Sequence, residues 1–259
     1  KNNNIGGTMV TGDNETVKVS ENVESKSKYD FIEDLKQIWN IIISPNKTFA
    51  YIDENPTWWL PLTTLIVISI GYILITFPSI VIPEKINAIM SNPAIQNLSD
   101  AQKTKILTTS NILIRSIIGA LISTPIYLLL KSAIFYFTII VTGYEIKFRK
   151  MFSLTVWAGI ITSLGIIVKT LLTLAKHSSD VYTSLVVFLP NLDKGSALFS
   201  FLNSFEIFTL WNLSLIGLGL GVITKLDKKK STIIVFVLWL LWILINTFVL
   251  RRFSGGMAK

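Results

Sequence analysis

The side chains able to do chemistry in this chain are few, and four of them lie in apolar surroundings. Glu206 stands near the start of Ser204-Phe-Glu-Ile-Phe-Thr-Leu-Trp-Asn-Leu and is the one acid expected well inside a hydrophobic segment. Asn212 follows six residues later, and Lys131 and Lys169 fall within two other apolar stretches. A charged side chain at the centre of a membrane helix costs about 3 kcal/mol on insertion scales and less near an end, so its first reading is functional. The chemistry available to such groups is ion pairing, ion or proton passage, or recognition of a partner's polar group.

Other chemistries find little support. There is no cysteine and a single histidine, His177, so no thiol or histidine-built metal site is expected, and no cofactor. His177 falls in a polar loop without a serine nucleophile motif. Asp180 and Asp193 in that loop are too sparse to hold a metal. Gly217-Leu-Gly-Leu-Gly221 has the look of a nucleotide loop but follows no strand. As a G-x-x-x-G pair, Gly217 and Gly221 instead let two helices approach closely, with Trp211 a large ring for the same packing.

The elements that position these residues are membrane helices. The chain has 259 residues, 51% hydrophobic and 15% charged. Several uncharged runs are long enough to cross a hydrocarbon core about 30 Å thick. Because those runs are continuous and not alternating, a β-barrel is excluded and the fold is all-α. Five spans are expected, at about 58–82, 112–142, 151–174, 197–223 and 231–250. Together they make a membrane domain over 57–250, followed by a tail, 251–259. The second stretch is longer than a bilayer needs and should tilt, kink at Pro125 or project. In the polar loop before it, Ser99 with Gln102 forms a capping box.

Ahead of the spans, residues 1–28 are polar and unable to bury enough apolar surface to order themselves. No signal-peptide h-region is expected there. Residues 29–56 hold interfacial helices. Phe31, Ile32, Leu35, Ile38, Trp39 and Ile42 recur at helical spacing, with Glu33, Asp34 and Lys36 on the other side. This face either lies in the membrane interface with Trp39 as anchor or packs on the bundle. Trp58 and Trp59 mark a second interfacial anchor.

The net charge is +8, but the basic residues flank the spans, where they orient the protein and meet anionic lipid. Nucleic acid is therefore not an expected partner. Lys147, Arg149 and Lys150 in one short loop and Lys225 with Lys228, Lys229 and Lys230 in another fall on the same side. The positive-inside rule makes that side, and with it the N-terminus, cytoplasmic in a multi-pass protein of the cell membrane. Arg251 and Arg252 argue weakly against this, as do Lys85, Lys103 and Lys105 in the longer outer loop.

Counting 1.5 Å per residue places both Glu206 and Lys169 roughly 28 Å from the basic side, and Lys131 roughly 24 Å. Either lysine is then able to pair with Glu206 near the outer interface. A salt bridge or snorkelling there is the more economical reading, because desolvation is modest near headgroups.

Two stretches resemble the Yip family, the Ypt/Rab-interacting membrane proteins, in its bacterial branch. One is Ser44-Pro-Asn-Lys-Thr-Phe49, followed by a short helix and an aromatic-proline entry to the first span. The other is Phe205 to Lys225, followed by a short basic loop and a last span. The resemblance covers about 30–250 and implies a five-helix membrane domain that is not an enzyme. Bacterial members resemble accessory partners of other membrane complexes, export transporters included. The expected function is thus a non-enzymatic accessory or scaffold subunit that meets lipids and another membrane protein, or itself, through helix contacts. The alternative is a small-solute or ion transporter using Glu206 with Lys131, Lys169 and Asn212; an intramembrane enzyme ranks last, since no Asp/His pair occurs in the spans.

Overall fold

The structure is a computed structural model that describes residues 31–90, 99 and 108–250. The expected tail 1–28, Gln102 of the capping box, Lys103, Lys105, Arg251 and Arg252 lie outside the described residues.

Two short helices precede the spans: α1, Phe31–Ile43, and α2, Pro45–Glu54. Pro45 begins α2 because its ring is preset for a first helical turn and its missing N–H would have no partner there. Helix α3, Trp59–Thr76, runs through a π-helical turn, Phe77–Val81, into α4, Ile82–Met90. Pro78 accounts for that turn, since it cannot donate to the preceding turn of helix and its ring forces the ladder to widen. Helix α5, Thr109–Val141, is continuous through Pro125 and about 50 Å long at 1.5 Å per residue. It therefore exceeds the bilayer by length, not by a break in the helix.

Helices α6, Phe148–Ala158, and α7, Ile160–Lys176, join at Gly159 into one span. A side chain at Gly159 would meet the Leu65 Cδ1 on α3 at 2.9 Å, so glycine allows that approach. His177 closes α7 in the left-handed conformation (φ 51°) and is exposed. A loop with a 3-10 turn, Leu185–Phe188, leads to the short α8, Ala197–Asn203. Helix α9, Ile207–Thr224, turns at Lys225 (φ 58°) into α10, Lys228–Leu244, which ends in a π-helical turn, Ile245–Leu250. Asp227 caps α10 by accepting from the Lys230 N–H at 3.0 Å.

Five helical segments are long and apolar enough to cross a membrane: Trp59–Glu84, Thr109–Val141, Phe148–Lys176, Ile207–Thr224 and Lys228–Phe248. The fold is all-α, and among the described residues the only β-type pairing is an isolated bridge between Ser184 and Glu206. The fourth span differs from expectation. It starts at Ile207, not near 197, because Glu206 takes an extended conformation (φ −90°, ψ 134°) and separates α8 from α9.

The core gathers around α6, whose residues Met151 to Ala158 are all buried. Trp157, Leu154 and Met151 meet Phe49 and Ile52 of α2 and Leu213, Ile216 and Leu220 of α9. α9 and α10 form the most extensive helix pair. At the basic end, Lys150 pairs with Asp53, and Lys225 approaches the same carboxylate at 4.0 Å.

Candidate functional site

Lys131 and Asn212 are brought together. Lys131 Nζ donates to the Asn212 Oδ1 at 2.6 Å across the gap between α5 and α9. The ammonium also stands 5.9 Å from the centre of the Tyr127 ring, one turn back on α5. Asn212 is 2% exposed, and its Nδ2 has no hydrogen-bond partner. Lys131 lies ten residues before the end of α5, and Asn212 twelve before the end of α9, or about 15 and 18 Å along the helix axes. Asn212 is also five residues, about 8 Å, from the start of α9, so the pair lies inside the apolar stretch of both helices and not at their ends. The count from sequence placed Lys131 closer to the outer surface because it treated the non-helical residues 142–147 as helix.

Glu206 is placed differently from expectation. It is the N-cap of α9: its Oε2 accepts from the Thr209 N–H at 2.7 Å and the Thr209 hydroxyl at 2.8 Å. Its Oε1 accepts from the Thr183 hydroxyl at 2.9 Å, which ties the loop between α7 and α8 to the start of α9. A carboxylate here also suits the positive end of the helix dipole. Among the described residues no ion pair joins Glu206 to a lysine. Lys169 is exposed on α7, 5.9 Å from the centre of the Tyr72 ring. It is seven residues, about 10 Å, from the end of α7, within reach of the headgroups.

Gly217 and Gly221 are used inside the chain. A Cβ on Gly217 would sit 2.7 Å from the Thr232 Cα of α10, and one on Gly221 2.9 Å from the Lys228 Cγ. The Ser231 hydroxyl donates to the Gly217 carbonyl at 2.7 Å across the same contact. Gly219, which sequence reasoning did not single out, faces the opposite way, where a Cβ would meet Leu154 and Phe49. Trp211, expected to pack, is 37% exposed.

The second polar assembly lies under α1, and sequence reasoning missed it. Phe31, Ile32, Leu35, Trp39 and Ile43 are exposed, whereas Asp34 and Gln37 are buried. Asp34 Oδ1 accepts from the Tyr51 and Thr57 hydroxyls, each at 2.9 Å, and Gln37 Oε1 accepts from the Thr48 hydroxyl at 3.0 Å. The Thr57 carbonyl in turn accepts from Trp157 Nε1 at 2.8 Å and from Ser153. The sequence put Asp34 on the outward polar face; the structure turns it inward. The expected apolar face is divided, with Ile38 and Ile42 packed on the core and Trp39 64% exposed. Trp58 and Trp59 stack with centroids 4.0 Å apart; Trp58 packs on Phe152 and Trp59 is exposed.

With five spans and this geometry established, comparison with known proteins is decisive on family. Residues 39–250 match the Yip1 domain. The chain belongs to the Yip1 domain family. It is a multi-pass membrane protein, and the match extends from Trp39 in α1 through all five spans. Among curated proteins it is similar to the "Membrane protein YknW" of Bacillus subtilis (strain 168), 27% identical over 214 residues, or 82% of this chain and 88% of the relative. No solved structure matches the chain.

Proposed function

We propose that this Yip-family protein is a non-enzymatic accessory or scaffold subunit of a larger membrane assembly, such as an export transporter, and acts through helix–helix contacts. The observation that carries this reading is α5. In its most apolar 18-residue window 6% of residues are buried, against 67% in Phe148–Lys176. Yet it holds Lys131 within the span, where a purely lipid-facing helix has no use for a charge. The Gly217/Gly221 face is filled by α10, which leaves α5 as the face for a partner.

The basic loops, α1 and α2 lie at one end of the bundle, and we assign that end, with the N-terminus, to the cytoplasm of a bacterial cell. A transport path through Glu206, Lys131, Lys169 and Asn212 draws support only from the Lys131–Asn212 bond. The test is chemical cross-linking in native membranes, followed by purification in mild detergent. A defined membrane complex is expected; recovery of this chain alone would contradict the reading.

A further inference from the structure

We propose that α5 docks a transmembrane helix of a different protein, and that an aspartate or glutamate on that helix pairs with Lys131. The proposal rests on the accessory-subunit reading and names the chemistry of the partner.

Helix α5 carries two stripes. Leu128, Ser132, Phe135 and Ile139 are buried and recur at helical spacing, forming the side that packs on α3 and α6. Tyr127, Leu130 and Ile134 are exposed and surround Lys131 at one turn before, the adjacent position and nearly one turn after. Lys131 thus stands at the border of the uncovered face. Its hydrogen bond to Asn212 supplies a neutral acceptor but no negative charge. The Asn212 Nδ2 is buried, with no partner among the described residues, so the amide brings no charge to balance the ammonium. One net positive charge inside the membrane, at the border of an uncovered face, makes a site for a carboxylate, which accepts from the ammonium.

Charge complementarity decides among occupants. A second copy of this chain cannot supply the acid at this depth, because the one aspartate or glutamate in the five spans is Glu84, the last residue of the first span. A lipid headgroup lies at the membrane surface, outside the apolar core that both helices cross. A fellow membrane helix is the remaining source of an acid there, and pairing within the bundle is the usual state of intramembrane charges. The exposed apolar residues of α5 would supply the surrounding van der Waals contact, the main drive for helix association in lipid.

The test uses the full chain in its own membranes, with a photo-cross-linking amino acid in place of Leu130 or Ile134. Adducts are identified by mass spectrometry in the unsubstituted chain, Lys131→Met and Lys131→Arg. The expected adduct is a helix of another membrane protein carrying Asp or Glu within its apolar stretch. Lys131→Met should lower its yield at least tenfold, Lys131→Arg should keep it, and Lys131→Glu with the partner's acid changed to Lys should restore it. An adduct whose yield is unchanged in Lys131→Met, that maps to lipid or a second copy, or whose helix lacks an acid would overturn the proposal. If Lys131→Met still co-purifies with an intact complex, the docking site falls and the accessory role stands. If no complex forms with any variant, both fall.

Discussion

Single residues set how tightly the helices close. The Cβ of an alanine at Gly217 would collide with the backbone of Thr232, which no side-chain rotation relieves. Gly217→Ala should therefore lower stability in detergent by about 1–3 kcal/mol, the usual cost of overpacking, as read by thermal unfolding. Gly71→Ala, in open space on α3, should not. Glu206 makes the reverse point. As a helix cap it needs acceptor oxygens more than charge, so Glu206→Gln should cost under about 1 kcal/mol and leave complex formation intact, whereas Glu206→Ala should cost about 1 kcal/mol or more. A large loss of assembly in Glu206→Gln would show that the acid does more than cap. Gly217 and Gly221 lie against α10, a close approach that small residues four apart on one helix face permit. The role of Glu206 was not legible in the sequence, because the hydropathy of the residues around it is the same whether the helix begins before or after it.

At the scale of elements, α1 shows what periodicity leaves undecided. Spacing divides the helix into apolar and polar faces, but only the surroundings decide which turns inward. Beside a bilayer the apolar face has lipid to enter, so Asp34 and Gln37 are free to face the protein and clamp α2 and Thr57. Asp34→Ala should release α1, seen as faster amide exchange across 31–43 and a blue-to-red shift of Trp39 emission; unchanged exchange would refute the clamp. The loop between α7 and α8 is held by charge instead. Lys194 and, secondarily, the Tyr182 hydroxyl hold the Asp180 carboxyl below its ordinary value of 3.8. Because the folded value is depressed, the stabilisation is fully present above pH 3.8 and is lost as the pH falls through the lower folded value. Protease sensitivity of the loop should rise in that acid range in the unsubstituted chain and be pH-independent there in Lys194→Ala.

For the whole molecule, five spans and the all-α class followed directly from run length, since only helices bury their backbone polar groups in lipid one segment at a time. The Lys131–Asn212 contact did not, because two residues 81 positions apart are joined by packing that hydropathy does not encode. Orientation is open to a clean experiment, as the chain has no cysteine. A cysteine placed at Lys229 should resist an impermeant maleimide added to intact cells, while one at Ser178 should react; the opposite pattern would invert the assignment. The central claim is that this Yip-family protein serves another membrane protein. The most direct measurement is quantitative mass spectrometry of cross-linked material purified from native membranes. A defined membrane complex in constant ratio to this chain is expected; recovery of this chain alone, across several detergents, would contradict the accessory role.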